Sequence, residues 1–467
     1  MSDYKLLIDG KLVDGASTME VVNPATEQVL AICPRGSEQQ MDQAVKAAKA
    51  AFPAWSRRKV EERRAMLMTL ADRIEARQEE LARLLTEEQG KPIAEATAEI
   101  IYSGAFIRSM ASLDLQVKTL EDNETRRVEV HRLPLGVVGA IIPWNFPVLL
   151  LTFKVPAALI AGNTVVIKPA PTTPLTSLRL GEIMAEIFPP GVVNIVTDQN
   201  DLGAYLTQHP DVAKISFTGS SATGKKVMAA AASTLKRITL ELGGNDAAIV
   251  LPGADPETVA PGIFGGAFMN AGQVCLAIKR AYVHESIYDQ VVDRLAALAN
   301  AAVVDSGLHQ GTTIGPLQNR MQYEKIKDYL EVARKDGRIV AGGEVEDRPG
   351  YFIRPTIVAD IDDTSRLVAE EQFGPVLPVV KYADPEDALK RANASPWGLG
   401  GSVWGSDRQK AREIALQMET GTAWINKHLD FGPNIPFGGA KQSGLGVELA
   451  EEGLAEFTQV HVINEAL

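Results

Sequence analysis

A chain of 467 residues exceeds what a single hydrophobic core organises, so two or three domains are expected. Hydrophobic residues make up 45% and charged residues 23%, an ordinary globular balance, and a net charge of −12 argues against general affinity for nucleic acid or an anionic membrane. Two cysteines, Cys33 and Cys275, make no disulfide framework and point to a reducing compartment. The opening MSDYKLLIDG carries an acid early and no long apolar core, so no signal peptide is expected. Apolar runs are broken by Pro, Asn or Gly well short of the ~18 residues that would span a membrane. The expected location is the cytoplasm.

The first thirty residues read as strands. Leu6–Ile8 and Leu12–Val13 flank the tight-hairpin pair Asp9-Gly10, and Val21–Val22 and Val29–Ile32 flank Asn23-Pro24-Ala25-Thr26. Helices follow: Ser37 with Gln40 forms a capping-box pattern before an Ala-rich run to Phe52, and one amphipathic stretch runs from about Val60 to Glu88. From Gly136 short apolar runs alternate with helical segments. Strands are predicted at Val137–Ile142, Val165–Ile167, Val192–Val196 and Ala213–Phe217, and helices at Val148–Ala161, Leu175–Phe188 and Lys225–Ser233. This is the rhythm of a parallel sheet covered on both faces. A second α/β series begins near Asp246 and includes strands at Val376–Lys381 and Gly421–Ile425. Two further strand-like segments, Thr125–Leu133 and Thr458–Asn464, belong to neither series. They are either surface hairpins or edges that pair across a subunit interface.

Several positions carry chemistry. Cys275 follows Asn270-Ala271-Gly272-Gln273-Val274, small residues that let backbone approach a substrate; a lone cysteine is otherwise a small buried hydrophobe, the reading kept for Cys33. Asn145, in Pro143-Trp144-Asn145-Phe146-Pro147, directly follows an apolar strand, where ligands of open α/β sheets collect. Its amide is either an Asx-turn group or a donor to an oxyanion, worth about 3 kcal/mol in comparable sites. Glu241 ends an apolar run, where desolvation raises a carboxylate toward the range of a general base; a cap or an ion pair is the alternative. The stretch Ile215–Lys226 reads as strand, glycine turn and helix start, a phosphate site of backbone amides with the Ser220 hydroxyl. It nearly matches the nucleoside-triphosphate loop G-x-x-x-x-G-K-[ST], but Lys226 stands where the Mg²⁺-binding hydroxyl belongs.

Taken in order, PWNFP at 143–147, KPA at 168–170, FTGS at 217–220, LELGGN at 240–245, GQVC at 272–275, EEQFGPV at 370–376, GTAWIN at 421–426 and PFGGAKQSG at 436–444 resemble the aldehyde dehydrogenase superfamily across essentially the whole chain. The resemblance implies a Rossmann-like parallel-sheet cofactor domain, an α/β catalytic domain and a small β oligomerisation arm. The implied boundaries are 1–115 and 135–243, with 443–457, for the cofactor domain; 244–442 for the catalytic domain; 116–134 and 458–467 for the arm. It implies Cys275 as nucleophile and Asn145, with the Cys275 N–H, as oxyanion hole. Glu241 would activate water, with Lys154 and Glu448 relaying its proton; Val447 replaces the arginine that often precedes the latter. Lys168 would hold the adenosine ribose, Ser220 the pyrophosphate and Glu371 the nicotinamide ribose. Phe373, Ile142, Pro143, Trp144, Pro171, Gly219 and Leu242 complete that site. No metal is called for.

The resemblance thus implies oxidation of an aldehyde to a carboxylic acid through a thiohemiacetal and a thioester. Coenzyme A-acylating and non-catalytic nucleotide-binding members are the alternatives. Pro171 stands where many NAD-preferring relatives carry a glutamate, so NAD is expected and NADP possible. By position, Phe146, Leu150, Phe153, Met269, Val274, Leu276 and Phe431 wall an apolar pocket suited to a medium aliphatic or aryl aldehyde. Lys427 and His428, just before Phe431, are either solvated loop residues or a cationic contact for an anionic substrate. A homodimer or homotetramer is expected.

Overall fold

The computed structural model describes residues 3–467. Two large sheets organise the chain. The first has eight strands, and its parallel centre runs in the spatial order Val193–Ile195, Thr164–Lys168, Val137–Ile141, Val212–Thr218, Arg237–Glu241. The second has seven strands, parallel except at the edge where Arg338–Ala341 pairs antiparallel with Thr356–Ala359. Strands at both centres, such as Val137–Ile141, Thr164–Lys168, Asp246–Val250 and Thr356–Ala359, are buried along their whole length because helices cover both faces. After the last parallel strand of the first sheet ends at Glu241, four residues intervene before Asp246 opens a central strand of the second. The chain therefore passes from the carboxyl edge of one sheet to the amino edge of the other through Leu242-Gly243-Gly244-Asn245.

Local signals explain much of this. Asp9 and Gly10 both adopt left-handed conformations (φ 52° and 71°), the requirement of the tight hairpin joining Leu6–Ile8 to Lys11–Val13. Ser37 accepts from Gln40 N while Gln40 reaches back to Ser37 N, and the helix Glu38–Ser56 follows.

Three expectations are corrected. The stretch Val60–Glu88 is two helices, Val60–Ala76 and Gln78–Gln89, broken at Arg77 (φ −109°, ψ 21°). Apolar periodicity continues across the break, so pattern alone does not reveal it. The helix predicted at Lys225–Ser233 begins earlier and spans Ser221–Ala231, because the Ser220 hydroxyl caps it by accepting from Thr223 N at 3.2 Å. A helix not anticipated, Ile93–Ser112, packs against Pro147–Ile160. The two unassigned strands pair with each other: Thr458–Ala466 lies antiparallel to Arg126–Pro134, with Lys118–Asp122 completing a separate three-stranded sheet.

The pair Val212–Thr218 and Arg237–Glu241 has two unlike faces. Ile215, Phe217 and Leu240 enter an apolar cluster, whereas Lys214, Ser216, Thr218, Thr239 and Glu241 share the other face and are all buried. Polar side chains on a buried face need partners, and this face borders the site described next.

Ser37→Ala removes a reciprocal helix cap; a loss of about 1 kcal/mol in urea unfolding is expected, with catalytic turnover per folded molecule unchanged.

Candidate active site

Strand ends gather the cofactor-binding candidates. Lys168 ends one strand of the first sheet; Ile142, Pro143 and Trp144 follow the next; Gly219 and Ser220 follow a third. Ile142 N donates to Lys168 O at 3.0 Å, and Gly219 N to Glu241 O at 3.0 Å, so neighbouring carboxyl ends are locked in register. Strand order reverses between Val137–Ile141 and Val212–Thr218, the place where open α/β sheets leave a crevice. Lys168 is buried against Asp198 (2.7 Å), a partner that sequence reading missed. Pro171 lies in the turn beyond Lys168. Leu242 donates its N–H to Ser443 O and packs under Gly224. Trp144 and Phe373 meet edge to face, with centroids 5.4 Å apart. Glu371 accepts from Gly244 N at 3.0 Å, and a Cβ on Gly243 would lie 2.3 Å from its Oε2, so the double glycine is a condition of that placement. Lys225, which a triphosphate loop would need, instead donates to Gln442 Oε1 at 2.9 Å.

Cys275 sits just before the strand Ile278–His284 of the second sheet. Ahead of it Asn270, Ala271 and Gly272 are successively left-handed (φ 49°, 54° and 73°). This strained turn is tied down from several directions. Asn270 N donates to Glu95 Oε2 and Gln89 Nε2 to Asn270 Oδ1, each at 3.0 Å. Gln318 N donates to Gln273 Oε1 at 2.9 Å. Asn145 joins the two sheets here: its Nδ2 donates to Gln273 O at 2.9 Å, and its own carbonyl accepts from Asn270 Nδ2 (3.0 Å) and Lys91 Nζ (2.9 Å). Lys91 is buried in an ion pair with Glu99 at 2.6 Å. The other Glu99 oxygen accepts from Val148 N and Leu149 N, the first turn of the helix carrying Lys154. Sequence reading misses Lys91, Glu95 and Glu99; Glu95 and Glu99, four apart on Ile93–Ser112, share one helical face, whereas Lys91 precedes that helix and reaches Glu99 from outside it.

Glu241 is buried with neither carboxylate oxygen hydrogen-bonded among the described residues. Burial pushes its pKa well above the usual carboxylate range, the nearby Glu448 raises it further, and Lys154 opposes both. Lys154 Nζ is bonded to Glu448 Oε1, which also accepts from Ser216 Oγ at 3.1 Å. Burial pushes the Cys275 thiol up to about 12; Lys279 opposes this, while Glu241, Glu371 and Asp246 add to it. These four groups therefore lie within electrostatic reach of the sulfur. Cys33 is fully enclosed and is likewise pushed up to about 12 by burial.

Phe146, Leu150, Phe153, Val274, Leu276 and Phe431 pack in one cluster with Cys275. Phe106 and Phe437, unanticipated, complete an aromatic wall: Phe106 stacks on Phe153 at 5.0 Å, and Phe437 meets Phe153 at 6.1 Å. Met269 follows the end of the helix Pro256–Phe268, is 42% exposed and lies outside this buried cluster. The anionic-substrate reading falls. Lys427 is paired with Asp430, and the His428 ring is buried, its Nε2 donating to Leu276 O (2.6 Å) and its Nδ1 accepting from Ser402 Oγ (3.0 Å), with its pKa pushed down by burial to about 3. A neutral enclosed imidazole offers no charge to a substrate.

A model of the aldehyde dehydrogenase family matches residues 12–463, and the chain belongs to that family. It is 42% identical to the mitochondrial aldehyde dehydrogenase of Leishmania tarentolae over 471 residues, covering 99% of this chain and 95% of that one. It is 40% identical over 474 residues to phenylacetaldehyde dehydrogenase of Pseudomonas fluorescens, covering 97% and 94%. Among solved structures, the NAD+ complex of an aldehyde dehydrogenase from Bacillus cereus superposes with a TM-score of 0.97 at 38% identity, over 99% of this chain and 96% of that one.

With no dinucleotide present, alkylation of Cys275 by iodoacetamide should be slow at pH 7 and rise about tenfold per pH unit through pH 9, because the raised thiol pKa leaves little thiolate at neutrality. Peptide mass spectrometry reads both cysteines, and Cys33 should stay unmodified in the folded protein. A pH-independent rate over that range contradicts the electrostatics given above.

Proposed function

We propose that this chain oxidises an aldehyde to a carboxylic acid with NAD, by way of a thiohemiacetal and a thioester on Cys275. The observation that carries the reading is the meeting of three unlike groups at the seam of the two sheets. The Asn145 amide is bonded to the nucleophile turn two residues before Cys275, and the unpartnered carboxylate of Glu241 lies within electrostatic reach of the same sulfur.

The residues fit a dinucleotide. The helix Ser221–Ala231 presents its amino end after Gly219, and the buried Thr218 hydroxyl beside it lacks a partner among the described residues. Lys168 would hold the adenosine ribose, Gly219 and Ser220 the pyrophosphate and Glu371 the nicotinamide ribose, with Ile142, Pro143, Trp144, Pro171, Leu242 and Phe373 lining the crevice. When bound, the nicotinamide supplies the hydride acceptor. NAD complexes among the structural relatives support this cofactor.

The chain's own groups do the rest. The Cys275 sulfur bonds to the aldehyde carbon while the Asn145 amide and the Cys275 N–H receive the developing alkoxide. After oxidation the acyl group remains as a thioester. Glu241, held well above the ordinary carboxylate range, is a stronger base than an exposed carboxylate: it removes a proton from water as the oxygen attacks the thioester, and the carbon–sulfur bond breaks. Glu448 and Lys154, bonded to each other and to Ser216, stand behind it to take up that proton. Glu241 favours hydrolysis over transfer to coenzyme A. The aromatic wall of Phe106, Phe153, Phe431 and Phe437 suits a medium aliphatic or aryl aldehyde, in keeping with the phenylacetaldehyde-oxidising relative.

The first sheet forms the cofactor domain in this reading and the second the catalytic domain. Thr458–Ala466 is an edge strand with Val460, Val462 and Ile463 exposed, which supports assembly into a homodimer or homotetramer through the three-stranded arm. Among the described residues no helix is long and apolar enough to cross a membrane. Two free cysteines suit a reducing compartment, and the cytoplasm is the location proposed.

Phenylacetaldehyde and hexanal should each yield NADH without coenzyme A, and Cys275→Ala should abolish it. Glu241→Gln should still give one equivalent of NADH rapidly, then turn over about 100-fold or more slowly while the acyl-enzyme accumulates in intact mass spectra. Because Glu241 works only when ionised and its pKa is raised, the deacylation rate should climb with pH above the usual carboxylate range.

A further inference from the structure

Each backbone carbonyl from Gln273 to Leu276 takes a bond from a side chain. Asn145 Nδ2 holds Gln273 O at 2.9 Å; Lys279 Nζ holds both Val274 O at 2.9 Å and Cys275 O at 2.6 Å; His428 Nε2 lies 2.6 Å from Leu276 O. A carbonyl and an ammonium can bond only through the lysine's protons, and the same lysine reaches Glu371 Oε1 at 3.6 Å. Lys279 is 2% exposed, and the reaction steps above leave it unused.

The peptide bond is planar and trans, so its C=O and N–H point in opposite directions. Fixing Val274 O on the Lys279 ammonium therefore turns the N–H of the same peptide unit, which belongs to Cys275, away from the lysine. That N–H meets no acceptor among the described residues. A cation on the carbonyl also draws electron density from the amide and makes its N–H a stronger donor. We propose that Lys279 is a positioning residue that aims and polarises the Cys275 N–H toward the oxygen of the reacting carbonyl, and through Glu371 couples this donor to the dinucleotide site. The proposal rests on Cys275 being the nucleophile of an acyl-transfer reaction. His428 has the lesser part of steadying the next peptide, with the ring held between Leu276 O and Ser402 Oγ.

Two reagents separate this role from a general effect on the thiol. Iodoacetamide alkylates sulfur without forming an oxyanion, whereas p-nitrophenyl acetate acylates it through one. The sulfur's ionisation is set by burial first and then by Lys279, Glu241, Glu371 and Asp246, and alkylation between pH 6 and 10 reports their combined effect. In Lys279→Met, alkylation should be slower at every pH in that range, because a cation beside the thiolate is gone. Acylation, read as p-nitrophenolate release, should fall about tenfold further than alkylation. Lys279→Gln keeps a donor and loses the charge, and should recover part of that extra loss; it also serves if the Met variant fails to fold. Equal losses with both reagents, or no loss in either variant, overturn the proposal. Absence of wild-type acylation, or acylation surviving in Cys275→Ala, overturns instead the reading of Cys275 as nucleophile.

Discussion

The structure turns on three consecutive left-handed residues, Asn270, Ala271 and Gly272. For the two that are not glycine this backbone costs on the order of 1–3 kcal/mol each, and it persists only where surroundings over-determine it. Here they do. A Cβ on Gly272 would lie 2.4 Å from Gly374 O, so a neighbouring loop closes over the turn. Glu95, Gln89 and Asn145 hold Asn270 and the residues after it. Behind these, the buried pair Lys91–Glu99 joins Asn145 to the amino end of the Pro147–Ile160 helix. Removing one member of such a pair leaves a buried charge uncompensated, which is why the pair constrains geometry more than it adds stability. The turn delivers Cys275 to the seam between sheets, and the same helix delivers Lys154 beside Glu448.

The electrostatics of the seam are predominantly acidic. Glu241, Glu371 and Asp246 all oppose ionisation of Cys275, burial opposes it more, and Lys279 is the cation that favours it. Burial also raises the Asp246 carboxyl to about 7. A site so arranged disfavours the thiolate and raises the carboxylate's pKa, which in the proposed reading separates nucleophile from base by environment although neither is unusual by residue type.

Local chemistry made the hairpin at Asp9-Gly10, the capping box at Ser37 and the strand, turn and helix start at Ile215–Lys226 readable, since each depends on residues within a few positions of one another. The break at Arg77 and the helix Ile93–Ser112 were not read: the first interrupts no periodic pattern, and the second carries buried Glu99 and Ser103 where an apolar face was sought. His428 has a loop position that suggests a functional contact, yet it is enclosed beneath Leu276. Proximity along the chain does not give direction in space, which only the fold supplies.

What the amino-acid order determined by itself is the inventory and its approximate places: a sulfur, an amide and a carboxylate in glycine-flanked segments, alternating strands and helices, and eight ordered motifs resembling one family. Those features are local, and local dihedral preferences and hydrophobic periodicity encode them. The tertiary structure alone decided that Glu241 lacks a hydrogen-bond partner among the described residues, that Lys91 and Glu99 support Asn145, that Phe106 and Phe437 close the aromatic wall, and that Lys279 grips the carbonyls around the thiol. Each joins segments tens to hundreds of residues apart, or depends on which way a side chain is buried, and no pairwise rule of spacing specifies such contacts before both sheets are packed.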